Sequence, residues 1–219
     1  MRSPKRLTRV PALVLLTTLA AACGGPVPPR PSPQVPTPAP PTASPPMSPT
    51  ASPTVSAVLE PRPLRLPVVR AGARCPTTSP RPWSGPGEAS RVLGDGPVYP
   101  IADYFMKGGA VLDLRPEDRE PDGSYVKKVR WVVADYTGPV LIRAARVDGK
   151  GTASARFSYT GERRDGGYHA DLTMPRTSVP GTTTVGGPGC YAYQIDGTTF
   201  STVVVFGAVK VGAADEPSS

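Results

Sequence analysis

From Tyr99 to Val211 the chain divides into short segments that alternate apolar and polar residues. Turn residues close each one within about ten positions, and no stretch sustains a helical period. Strands this short bury their apolar faces only by stacking sheet on sheet, which predicts an all-β antiparallel sandwich. Tyr125 to Asp135 is the strongest strand: Val129, Trp131 and Val133 alternate with Arg130 and Val132 until Gly138-Pro139 breaks the pattern. Val140 to Val147 then runs into Asp148-Gly149, a hairpin signal. Thr152 to Tyr159 and Tyr168 to Met174 alternate again, and Pro175 to Gly189 reads as a loop. Cys190 to Ile195 and Thr199 to Val211 form a hairpin expected to turn on Asp196-Gly197. Within it, Val203-Val204-Val205-Phe206 is apolar on both faces, as in a strand covered on both sides. Weaker strands are expected at Tyr99 to Tyr104 and Ala110 to Leu114. Leu64 to Val69 is expected as an edge strand, where Pro67 is tolerated. Arg74 to Gly87 reads as an irregular lead-in.

The N-terminal quarter has a different character. Arg2, Lys5, Arg6 and Arg9 precede an uncharged run from Pro11 to Ala22, with Cys23 directly after it. A basic start, a short apolar run and small residues before a cut describe a secretory leader. The run is too short to span a bilayer, which takes about 20 residues. From Pro26 to Ser56 proline, serine, threonine, alanine and valine dominate, with Arg30 the one charge. Such a composition cannot bury enough apolar surface to fold, so a disordered, extended stalk is expected. At about 3.1 Å per residue it would reach roughly 100 Å. The expected organisation is a leader over 1–22, a modified cysteine and linker over 23–60, a β-sandwich over 61–212 and a disordered tail over 213–219.

Leu19-Ala20-Ala21-Ala22-Cys23 resembles the lipobox of bacterial lipoproteins. The resemblance implies cleavage after Ala22, lipid on the Cys23 sulfur and anchorage at the extracytoplasmic face of a cell membrane. The sandwich in turn resembles immunoglobulin-like domains. Trp131 would take the place of the core tryptophan, and Gly189-Cys190-Tyr191-Ala192-Tyr193-Gln194 with the following hairpin would supply the last two strands. Trp131 to Phe206 is also similar to bacterial lipoproteins that end in a Gly-Cys-Tyr and Asp-Gly hairpin, a likeness that brings no activity with it. The chain has three cysteines. With Cys23 acylated, Cys75 and Cys190 remain as a pair in an oxidising compartment, where a disulfide is the default. Cys75 precedes Trp131 by 56 positions, too far for the usual inter-sheet bridge of immunoglobulin domains. It is expected instead to staple the lead-in to a core strand.

Little in the sequence points to catalysis. A Ser-His-Asp triad needs a histidine, and the only one, His169, lies in an expected strand with no Gly-x-Ser-x-Gly elbow anywhere. Asp148-Gly149-Lys150-Gly151-Thr152 lacks the first glycine of a phosphate loop and its Ser or Thr after the lysine. Glu117, Asp118, Glu120 and Asp122 match no calcium-loop spacing and read as a solvated loop. Neither a catalytic residue, a cofactor nor a metal is therefore expected. The formal charge of +8 falls to +4 without the four leader cations, and the other cations are mixed with acids, which argues against nucleic acid as a partner. Trp83, Tyr99 and Tyr104 are the aromatics best placed for a binding surface, near loops and strand ends. The expected function is a membrane-anchored, non-enzymatic module that binds a protein or glycan of the cell envelope. An envelope-acting hydrolase and a passive structural lipoprotein are the alternatives.

Overall fold

The computed structural model describes residues 58–212. The expectations for the leader, Cys23, the stalk and the tail from 213 onward lie outside the described residues. A small hairpin comes first, β1 (Arg81–Pro82) with β2 (Arg91–Val92), followed by β3 (Val98–Pro100), β4 (Val111–Leu114), β5 (Tyr125–Lys128) and β6 (Trp131–Ala134). β7 (Gly138–Arg146), β8 (Ala153–Phe157), β9 (Glu162–Arg164) and β10 (Gly167–Leu172) form the middle of the chain. β11 (Arg176–Val179), β12 (Gly181–Val185), β13 (Gly189–Gly197) and β14 (Ser201–Lys210) complete it. Helical structure among the described residues is limited to short 3-10 turns such as Ala102–Tyr104 and Pro116–Asp118.

The fold is an all-β, immunoglobulin-like sandwich. One layer is a six-stranded sheet in the order β4-β14-β13-β7-β10-β9, antiparallel except where β4 joins β14 in parallel. The facing layer consists of two three-stranded sheets, β11-β6-β3 and β5-β12-β8. They are halves of the same strands: β5 and β6 are consecutive, as are β11 and β12, and each half pairs with its counterpart. Pro180 stands at the break and has no N–H to donate, so the ladder bends there. Val129 still donates across the bend to the Gly181 carbonyl at 3.0 Å. A side chain at Gly181 would place its Cβ 2.6 Å from the Arg156 carbonyl oxygen, so only glycine admits this approach of backbones.

Between the layers Trp131, fully buried, meets Phe157 and Tyr193 edge-on at centroid distances of 5.9 and 5.2 Å, and Tyr193 stacks on Phe206 at 4.5 Å. β7, β13 and β14 stand side by side as strands C, F and G do in immunoglobulin domains, and β5/β6 pairs with β12/β11 as B does with E. Trp131 departs from that scheme. It projects from β6, in the layer facing β13, whereas immunoglobulin domains carry the tryptophan on C beside F.

The outer face of the six-stranded sheet is covered as well. Tyr191, Tyr193 and Ile195 of β13 point into the core, while Cys190, Ala192, Gln194 and Asp196 point the other way and are equally buried. The cover is the segment 58–79, a strap without strand structure of its own. Leu66, Val69 and Cys75 of the strap pack on Val147, Cys190, Ala192 and Val205. Val69 donates to the Val147 carbonyl and Thr78 to that of Val205, both at 2.8 Å. Cys75 and Cys190 form a disulfide with Cα atoms 5.4 Å apart, joining the strap to the start of β13.

Several expectations require correction. Leu64 to Val69 is not an edge strand, because it lies over the face of a sheet instead of beside its rim. Pro175 to Gly189 is no loop: it contains β11 and β12, held by full ladders to β6 and β5. Asp148-Gly149 does not turn a hairpin, since β7 and β8 belong to different layers and the connection crosses between them. Asp196-Gly197 is not a turn either. Both residues stay in β13, with Asp196 opposite Ser201, and the chain reverses at 198–200.

Candidate functional site

A cleft of about 410 Å³ opens between the two layers. Ile142 and Ala144 of β7 form one wall, Ala153, Ser154 and Ala155 of β8 the other, and the turn between β9 and β10 the rim, with Arg163, Arg164 and Asp165. The cleft exists because β7 and β8, consecutive in sequence, part into separate layers and their facing residues are small. Arg164 is held by Asp165 at 3.1 Å and Glu162 at 3.6 Å, whereas Arg163 has no ion-pair partner among the described residues. Mostly small walls, with the Ser154 hydroxyl and the guanidinium of Arg163 beside the ion-paired Arg164, suit a ligand carrying an acceptor group. His169 lies outside this cleft. It is buried within β10, in a strand as expected, opposite Leu141 of β7 and Glu162 of β9.

The aromatics singled out by sequence come together elsewhere. Trp83 lies 4.9 Å from Tyr99, with its indole N–H donated to the Pro86 carbonyl at 3.0 Å. Arg81 sits 5.2 Å above the Tyr99 ring. Tyr104 packs against the same small cluster of Val92, Tyr99, Ile101 and Val132. Trp83, Tyr99 and Tyr104 thus roof the outer face of β3 and β6, and Tyr99 is buried in doing so. The acidic group is spent on local order. Asp118 accepts from Lys127 at 2.6 Å, and Asp122 from the Ser124 N–H at 2.9 Å. Among the described residues no three His, Cys, Asp or Glu side chains gather as metal ligands do.

A buried polar cluster under the strap escaped the sequence reading. Asp196, fully buried, accepts from Arg143 and from Ser201, both at 2.6 Å, and its two oxygens share the Gln194 amide at 3.1 Å. Arg143 also donates to the Arg62 carbonyl at 2.5 Å. Gln194 accepts from the Arg65 N–H at 2.6 Å and donates to the Pro63 carbonyl at 3.0 Å. The period of two along β13 does place Gln194 and Asp196 on the face of Cys190, the one signal from which the cluster could be read.

Asp148 locks the far end of the strap's sheet. Burial disfavours its charge, but hydrogen bonds from Arg146 and from the Cys190 N–H outweigh that, and its carboxyl ionises below the ordinary value. Asp113 behaves alike: burial opposes ionisation, and Lys127 and Arg115 overcome it. Burial pushes the Tyr193 phenol well up despite its hydrogen bond with Thr183. Compared with known proteins, the chain matches no family model, no curated protein and no solved structure.

Proposed function

We propose that the chain is a bacterial envelope lipoprotein, acylated at Cys23 on the extracytoplasmic face of a membrane. Its sandwich serves as a non-catalytic module that binds a protein or glycan of the envelope in the cleft between β7, β8 and the β9–β10 turn. The observation that carries the reading is the Cys75–Cys190 disulfide in a chain whose leader ends at Leu19-Ala20-Ala21-Ala22-Cys23. A disulfide of this kind belongs to an oxidising compartment, and the leader supplies the route there. Anchorage follows from chemistry: each buried methylene contributes about 0.8 kcal/mol, so two or more acyl chains hold stably where one is marginal. The proline-rich segment gives the module reach from that anchor.

Mass spectrometry of the mature protein tests this. The expected N-terminal peptide begins at an acylated Cys23, and Cys75 and Cys190 are recovered as one linked peptide. A retained leader or an unmodified Cys23 refutes the anchor. For the module, the expectation is saturable binding to envelope extract that Ala144→Trp abolishes by filling the cleft; binding indifferent to that change removes the cleft from the proposal.

A further inference from the structure

The strap that covers the six-stranded sheet has a second side. Its inner residues are committed: Leu66, Val69, Cys75 and Thr78 face the sheet, and Arg62 donates to the Thr198 carbonyl at 3.2 Å. Outward stand Arg65, Arg70 and Arg74, all exposed and none in an ion pair among the described residues. Residues 58–79 hold four arginines against the single acid Glu60. Outward too are Leu64, half exposed, and Val68, 93 % exposed. With Val58 they make three of the six large apolar side chains exposed among the described residues. Val68 adds nothing to the apolar cover of the sheet among the described residues, which nearby Leu66 and Val69 already supply.

From this pairing of unpartnered arginines with outward apolar side chains on one short strip, we propose that the strap's outer side seats on an anionic lipid bilayer. Guanidinium groups pair with phosphate oxygens, and Leu64 and Val68 enter the boundary between headgroups and acyl chains. The apolar pair decides between lipid and a soluble polyanion, because a polyanion offers Val68 nothing to enter. The inference extends the proposed function by giving the sandwich a fixed face toward the membrane, yet it does not depend on acylation of Cys23. A protein without lipid tests it separately.

The test uses the unacylated chain from Gly24 to Ser219, which contains the whole sandwich and its disulfide. It is sedimented with vesicles of phosphatidylglycerol and phosphatidylcholine and with vesicles of phosphatidylcholine alone. Binding is expected to the anionic vesicles only, and to weaken with salt. Each cation near such a surface is worth about fivefold in partitioning, so Arg65→Glu/Arg70→Glu/Arg74→Glu should bind at least ~100-fold more weakly. Leu64→Ser/Val68→Ser should lose roughly tenfold through lost insertion. These side chains point outward, so unchanged melting curves are expected and show that the fold is intact. Equal binding to both vesicle types, or none to either, overturns the proposal. So does a serine variant that binds as wild type while inorganic polyphosphate competes, an outcome that assigns the strip to a polyanion.

Discussion

Asp196→Ala removes the one carboxylate that balances Arg143 beneath the strap. The Asp196 side chain is fully buried and that of Arg143 is 11 % exposed, so water cannot reach in to replace the lost charge without disturbing the strap. Arg143 would retain only the Arg62 carbonyl as an acceptor, and Gln194 would lose both carboxylate oxygens. Ser201 is exposed and finds water, so its loss counts little. Leaving a buried charge unpaired costs about 3–5 kcal/mol, a large share of the ~5–15 kcal/mol by which domains are stable. At about 2–4 °C per kcal/mol for a domain of this size, the melting temperature should fall by roughly 12 °C. The assay is thermal melting by circular dichroism, with urea unfolding as a check. Asp196→Asn should fall between wild type and the alanine variant. Arg143→Met/Asp196→Leu should recover most of the loss, because replacing the whole pair by apolar groups leaves no orphan charge. The reasoning is refuted if Asp196→Ala stays within about 0.5 kcal/mol of wild type, a difference expected of ordinary surface changes.

Two further outcomes follow from the same face of the molecule. Cys75→Ser/Cys190→Ser frees a loop closed across a sequence separation of 115 residues, which the chain-entropy model sets at about 5 kcal/mol. The urea midpoint should drop accordingly, with tryptic cleavage at Arg70 and Arg74 accelerated, and a midpoint unchanged after verified loss of the bridge would refute it. Asp148 has a folded-state carboxyl that ionises below its ordinary value of 3.8. Its stabilisation is therefore complete above that value and is lost as pH falls through the lower folded one. Asp148→Asn should be less stable than wild type at pH 7, and the gap should narrow in melts taken at successively lower pH below 3.8. A gap independent of pH would show that the carboxylate charge contributes nothing.

Where period two governs a strand's burial, the sequence foretells the structure. β8 and β14 lie within expected segments, β7, β10 and β13 overrun theirs by one or two residues at one end or both, Gly138-Pro139 opening β7 instead of breaking the chain, and the doubly apolar Val203 to Phe206 is indeed covered on both sides. What escaped depends on partners distant in the chain. The bend that splits Tyr125 to Asp135 sits opposite Pro180, fifty residues on, and nothing local to Arg130 marks it. Thr182 to Thr184 lies among Gly and Pro and reads as a loop, yet β-branched threonines suit a strand, and Thr183 is buried against the Tyr193 hydroxyl. The turn signal of Asp196-Gly197 lost to the ladder because the next three residues can reverse the chain, with Gly197 donating to the Phe200 carbonyl at 3.0 Å. The cleft was illegible for a related reason. Its walls are neighbours in sequence that belong to opposite layers, a property of topology and not of pattern.

The strap explains why a polar cluster stands where apolar packing would have served for cover alone. An extended segment lying across a sheet face has no ladder along its length to set its register, and its bonds from backbone to sheet backbone are those of Val69 and Thr78. Apolar contacts by Leu66 and Val69 would tolerate a slip along the face, since hydrophobic burial is non-directional. Gln194 does not tolerate it, because its amide reads one N–H and one carbonyl at fixed positions, Arg65 and Pro63. Arg143 reads a third, the Arg62 carbonyl, and Asp196 holds both side chains in the orientation required. The disulfide fixes the other end at Cys75. Pinned at 62–65 and again at 75, the intervening residues have one way to lie, with Leu66 and Val69 inward and Val68 outward with Arg70 and Arg74. The buried charges therefore specify a register that apolar burial could not, and that register is what presents the strap's outer side as a defined surface.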